Sequence, residues 1–282
     1  MKTYLVPVDF SKTSVNAANF AAALSHQTDV KHIILLNAYY VSPYETMLPN
    51  TDMVQLQEDE IEANAADRIR KLEAVKNRLK PLVKAGVEIS THLNRSHLLR
   101  AVIENTISKN VDMVILGIKG NSSIDDTQIG NHVIKISKAS PVPVIVVPTN
   151  YHFEGVKRIV VACDFNRVHE TIPLAGLQRL LSKKHYELLV VNIDKEAKHK
   201  DKDPERMAEE TVLHGLLKEF KPKYYYIQKP DIINGILQFA AEKDAQLVIA
   251  LPHKYSFLQA LLHDSVSQQL TEAAAMPVLL LK

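Results

Sequence analysis

The stretch GIKGNSSIDDTQIGN, residues 117–131, concentrates the residue types that could hold a ligand. It carries three of the chain's eight glycines: Gly117 and Gly120 are separated by two residues, Gly120 and Gly130 by nine. Glycine at a strand end lets the backbone approach a ligand closely and take positive φ. Gly130-Asn131 opens the helical pattern HVIKISKA, and the free N–H groups of a helix start favour an anion. Lys119 would add a charge-assisted contact. An ordinary glycine-containing turn is the plainer reading of the same residues. The commoner nucleotide motifs are missing: there is no G-x-x-x-x-G-K-[ST], and no G-x-G-x-x-G after the first strand. That argues against a P-loop phosphotransferase and a Rossmann dehydrogenase.

Two aspartates form the second constellation. VPVDFS (6–11) returns as VACDFN (161–166), so Asp164 follows Asp9 by 155 residues. Each follows a short apolar run and so ends a strand, where ligands of parallel sheets bind. The alternative is structural: each aspartate caps the next helix, with Ser11 and Asn166 as rival caps.

The elements that must position these residues repeat as well. DMVILG (112–117) has its counterpart in AQLVIAL (245–251), and SPVPVIVVP (140–148) in MPVLLLK (276–282). Three matched segments in one order indicate a duplicated domain. In the first half, apolar runs at 3–9, 32–38, 87–92, 112–117 and 142–147 alternate with helical stretches at 14–27, 57–84, 96–109 and 131–139. Pro81 leaves the end of the second helix open. Runs such as MVILG and VIVV do not alternate, as expected of strands covered on both faces. The expected fold is α/β: two tandem, doubly wound, five-stranded parallel-sheet domains, residues 1–150 and 151–282, joined by the linker TNYHFEGVK (149–157).

Composition narrows the classes. The chain is 46% hydrophobic and 23% charged, which suits a folded soluble protein. Its net charge of +2, shared evenly by the halves, is too small to argue for nucleic acid. No apolar run reaches the roughly 18 residues of a membrane helix, and no signal-peptide pattern opens the chain. The single cysteine, Cys163, excludes an internal disulfide framework and points to a reducing cytoplasm.

On these residues the chain resembles a tandem universal stress protein, across both halves. Nucleotide-binding members of that family carry G-2x-G-9x-G-[ST], which Gly117, Gly120 and Gly130 match, with Asn131 where Ser or Thr is usual. Asn still offers an amide donor to phosphate. The resemblance implies ATP or AMP as ligand, with Pro7, Val8 and Asp9 near the adenosine and the Ala38 backbone at adenine. Phosphate and ribose contacts would come from Gly117, Lys119, Gly120, Gly130, Asn131 and His132. Asp125 and Asp126 would repel phosphate unless Mg²⁺ stood between them; otherwise they face solvent. Family members pair through their last strand, so the halves are expected to pair within the chain as a pseudo-twofold dimer. Homodimerisation beyond that is left open.

The second half differs. Its equivalent loop, 250–267, has no glycine, Pro252 and His253 stand at its entry, and Asp264 precedes Ser265 where the third glycine would be. Only the first half is expected to keep a ligand site, with Asp164 structural. Cys163 reads as a small core residue, His253 and His263 lack a third metal ligand, 195–206 is a solvated charge run, and YYY (224–226) is a part-buried strand. The expected role is a cytoplasmic stress-response regulator binding an adenine nucleotide, with at most slow ATP hydrolysis because no nucleophile–base constellation is found. The alternative is a nucleotide-free interaction scaffold or a binder of another small ligand.

Overall fold

A computed structural model of the chain describes residues 2–40, 51–118, 133, 135–163, 186–194, 204–250 and 276–281, with the backbone alone at 51–58, 194 and 204–206. In the first half, β1 (Thr3–Pro7), α1 (Lys12–Leu24), β2 (His32–Ala38), α2 (Thr51–Leu79), β3 (Glu88–Asn94), α3 (Leu98–Ser108), β4 (Met113–Ile118) and β5 (Val144–Pro148) follow in order. The second half supplies β6 (Arg158–Ala162), β7 (Glu187–Asp194), α4 (Pro204–Leu217), β8 (Lys223–Gln228), α5 (Ile232–Glu242), β9 (Leu247–Ala250) and β10 (Val278–Leu280). Residues 133 and 135–139 are also helical.

The two expected five-stranded sheets join edge to edge into one sheet of ten strands. The strand order is β3-β2-β1-β4-β5-β10-β9-β6-β7-β8. Every neighbouring pair is parallel except β5 and β10, which run antiparallel with Ile145 opposite Leu279. Each half alone would expose its last strand as an apolar edge. Pairing these edges satisfies both and extends the core across the junction. The expected pseudo-twofold pairing within the chain is the arrangement found.

Strands without polar alternation bury both faces. Tyr4 and Val6 belong to the core cluster beneath α1 and α2, whereas Leu5, between them, belongs to the cluster on the opposite face. Ala17, Ala18, Ala21 and Ala22 are fully buried along α1, and such small side chains let the helix lie close to the sheet. Leu72, Val75 and Leu79 form the buried stripe of α2. The helix stops at Leu79, and a 3-10 turn from Lys80 to Leu82 carries Pro81, whose missing N–H ends the α-helical ladder.

The duplication reaches hydrogen bonds at the strand starts. Asp112 Oδ2 accepts from the N–H groups of Lys2 (2.7 Å) and Thr3 (3.0 Å). In the second half Gln246 Oε1 accepts from Lys157 and Arg158, both at 2.9 Å. The connection between halves is packed rather than loose. Phe20 meets Tyr151 and Phe153 edge to face, at 6.0 Å and 5.2 Å between ring centroids. Among the described residues no helix is long and apolar enough to cross a membrane.

Candidate functional site

Chain direction reverses its spread at β1, which has β2 on one side and β4 on the other. The crevice beyond the carboxyl ends of these strands is where open α/β sheets bind ligands. A cleft of about 110 Å³ opens there. Pro7 lines it from the end of β1, Val8 and Asp9 from the turn that follows, Ala38 from β2 and Gly117 from β4. Five of the residues singled out in the sequence therefore share one wall system. Lys119, Gly120, Gly130, Asn131 and His132 lie outside the described residues, as do Asp125 and Asp126. The chain returns to the cleft at Val133 and Ile136, directly after that stretch. The cleft is well below the roughly 300–1,000 Å³ of small-molecule sites, so a whole nucleotide would extend past the described walls.

The turn after β1 is tightly specified. Phe10 has φ of 70°, a left-handed conformation that costs a non-glycine residue about 1–3 kcal/mol. Hydrogen bonds on either side hold it. Asp9 Oδ1 accepts from the Ser11 N–H at 3.0 Å and from Ser11 Oγ at 2.6 Å. The Asp9 N–H donates to Ser14 Oγ at 3.3 Å. Ser11 Oγ in turn accepts from the Ser14 N–H at 3.2 Å, so Ser11 is the cap of α1 and Asp9 its support. Burial pushes the Asp9 carboxyl up, but hydrogen bonds from the Ser11 and Ser14 hydroxyls and the Ser11 N–H outweigh it and hold the pKa below its usual 3.8. The group is a carboxylate at neutral pH and can only accept hydrogen bonds.

Gly117 serves packing. A Cβ there would lie 2.5 Å from the Thr13 carbonyl oxygen and 2.8 Å from Thr13 Cγ2. Only glycine lets β4 approach the first turn of α1 this closely. Thr149 ties the same corner: its hydroxyl donates to the Ile118 carbonyl at 3.0 Å, so Thr13 Oγ1, 2.8 Å away, must be the donor to Thr149 Oγ1.

Behind the cleft lies a buttress that sequence reasoning missed. Asn37, 1% exposed, donates from Nδ2 to the Val8 carbonyl at 2.6 Å. Arg68 Nη1 donates to Asn37 Oδ1 at 3.2 Å, and its guanidinium lies 4.8 Å from the Tyr39 ring centroid. A usable signal was present: Asn192 stands 155 residues later, in the same repeat that relates Asp9 to Asp164. Thr13, Ser14, Leu36, Leu98 and Leu116 also line the cleft without having been singled out, as does Ser11, noted in the sequence only as a cap.

In the second half, Cys163 is buried at 2% exposure, as a core residue should be. Asp164, Pro252, His253, His263, Asp264 and Ser265 lie outside the described residues. Of the tyrosine run, Tyr224 and Tyr225 are half-buried and Tyr226 is exposed. Register shows one difference. Leu36 pairs with Pro7 and Ala38 follows two residues on; Val191 pairs with Ala162 and Ile193 follows two residues on. Ile193 is 6% exposed, and its Cγ2 lies 3.0 Å from where a Cβ on Gly235 would stand. Where the first half has a methyl group beside a cleft, the second has a branched side chain packed against α5. No group of three or more potential metal-ligating side chains occurs among the described residues.

A family model described as the universal stress protein family matches residues 1–148. Among solved structures, a universal stress protein from Archaeoglobus fulgidus is 15% identical, with a TM-score of 0.59, over 99% of this chain and 96% of that one. A functionally unknown protein from Pseudomonas aeruginosa is 13% identical, with a TM-score of 0.54, over 100% of this chain and 92% of that one. At these identities the likeness is one of fold, and it spans both halves. No curated protein matches the chain.

Proposed function

The chain belongs to the universal stress protein family, and from that premise we propose that its first half, residues 1–150, binds an adenine nucleotide, ATP or AMP, in the cleft at the ends of β1 and β4. The observation that carries this reading is the convergence of Pro7, Val8, Asp9, Ala38 and Gly117 on that one cleft. The Asp9 carboxylate suits hydroxyl or amino donors of a nucleoside. Ala38 leaves room for a base beside β2, and its backbone would meet adenine. Gly117, Lys119, Gly120, Gly130, Asn131 and His132 would carry phosphate and ribose contacts, with the start of the helix that follows favouring the anion. Mg²⁺ would reconcile Asp125 and Asp126 with phosphate. Residues 151–282 would serve as a degenerate partner domain, and the whole as a cytoplasmic stress-response regulator with at most slow hydrolysis.

Asn131, standing where Ser or Thr is usual, and the acidic pair Asp125 and Asp126 favour the alternative, a nucleotide-free scaffold or a binder of another small ligand. Mass spectrometry of small molecules released from the purified protein, followed by calorimetry with ATP and AMP, separates the two. A released adenine nucleotide and saturable binding support the first reading. Absence of binding at millimolar nucleotide promotes the second.

A further inference from the structure

A larger cavity, of about 780 Å³, lies farther along α1, where the connection between the halves crosses the helix. This volume falls within the range of small-molecule sites. Its apolar floor is aromatic: Phe20 in edge-to-face contact with Tyr151 and Phe153, beside Leu82, which is 46% exposed. Its walls are fixed in advance. Asn16 Nδ2 donates to the carbonyls of Pro148 (2.9 Å) and Tyr151 (3.1 Å). Gln27 pairs with Val156 in both directions, accepting at 2.6 Å and donating at 3.3 Å. Asn19, also on the wall, has a buried Oδ1 with no hydrogen-bond partner among the described residues.

The polar rim carries one arginine and one glutamate, with His26 and His152 beside them. Arg78 and Glu154 line the cavity, both are exposed, and neither has an ion-pair partner among the described residues. A ligand with a single charge would match one and face the other unmatched. We propose that this cavity binds a zwitterionic α-amino acid with a large apolar or aromatic side chain. The carboxylate meets the Arg78 fork, the ammonium meets Glu154, and the side chain packs on the Phe20–Phe153 floor.

The test is calorimetric titration of the full-length protein, without nucleotide, with L-phenylalanine. Phenylacetate and phenethylamine, each lacking one charge, serve as comparisons. Saturable binding is expected, weakened about tenfold or more for either single-charge analogue and in Arg78→Gln and Glu154→Gln. Ala23→Phe should fill the cavity and abolish binding. Should that variant fail to fold, the two exposed charge variants still decide. No saturable binding up to about 10 mM overturns the proposal, since such a site would then contribute less than roughly 3 kcal/mol. Binding that neither charge variant weakens overturns its location, and equal binding of phenethylamine or phenylacetate overturns the zwitterion.

Discussion

Asn37 and Asn192 make the same buried hydrogen bond in the two halves of the sheet. Asn37 Nδ2 donates to the Val8 carbonyl at 2.6 Å, and Asn192 Nδ2 to the Cys163 carbonyl at 2.8 Å. Each carbonyl belongs to the residue just after the first strand of its half. A buried carbonyl without a partner costs about 1–3 kcal/mol. Asn37→Leu and Asn192→Leu should each destabilise the protein by about that amount, and Asn37→Leu also strands the Arg68 donor. Urea unfolding of the single and double variants checks this. A cost below about 0.5 kcal/mol for Asn37→Leu would mean that water replaces the amide, and the buttress would lose its assigned role.

Gly117→Ala should damage the fold and the cleft together. Its methyl group would meet the Thr13 carbonyl oxygen at 2.5 Å, which is backbone and cannot swing aside. Displacing the first turn of α1 should cost about 1–3 kcal/mol, as overpacking usually does. Because Thr13 and Ser14 line the cleft, nucleotide affinity should fall in the same variant. Denaturant unfolding and calorimetry measure the two effects. Unchanged stability would show that β4 and α1 tolerate wider separation.

Asp9 should leave its mark on acid stability. A carboxyl whose folded pKa lies below the unfolded value stabilises the fold above that unfolded value, and loses the contribution as pH falls through the folded pKa. For Asp9 the window therefore lies below about pH 3.8. Asp9→Asn keeps an acceptor for Ser11 but removes the titration. Its stability relative to wild type should improve as pH drops through that window, measured by thermal unfolding from pH 6 to 2. Parallel pH profiles for the two proteins would contradict the depressed pKa.

How far the sequence carried the architecture differs by feature. The apolar runs and the repeated VPVDFS and VACDFN phrases located strands and duplication, because burial on both faces forces uninterrupted hydrophobic stretches. The cleft residues Pro7 to Asp9, Ala38 and Gly117 were found through strand ends and family resemblance. What local pattern could not reveal depends on contacts made by distant segments. Phe10 sits at positive φ without being glycine, because Asp9 and Ser11 fix the turn around it. Asn37 is a single polar residue in an apolar strand, and only its contacts with Val8 and Arg68 give it a role. TNYHFEGVK looked like a polar linker, yet Tyr151 and Phe153 pack on Phe20 across the helix.

The last prediction concerns the asymmetry between the halves: calorimetry should give one nucleotide per chain. Ala38 and Ile193 occupy matched positions two residues beyond the strand register of Pro7 with Leu36 and Ala162 with Val191. Ala38 borders the first cleft, whereas Ile193 is packed against Gly235 in the second half. In the repeat that matches DMVILG to AQLVIAL, Leu251 stands in sequence where Gly117 does, and the segment 250–267 contains no glycine for positive φ or close approach. Ala38→Ile should therefore give the first half the second half's side chain, and reduce nucleotide affinity by about tenfold or more with the fold retained. The reverse change, Ile193→Ala, should cost about 2–5 kcal/mol through the cavity it leaves. It should not create a second site, because Leu251 and the loop are unchanged. Titration of both variants with ATP settles the matter. A stoichiometry of two in wild type, or full affinity in Ala38→Ile, would place the ligand elsewhere than between β1, β2 and β4.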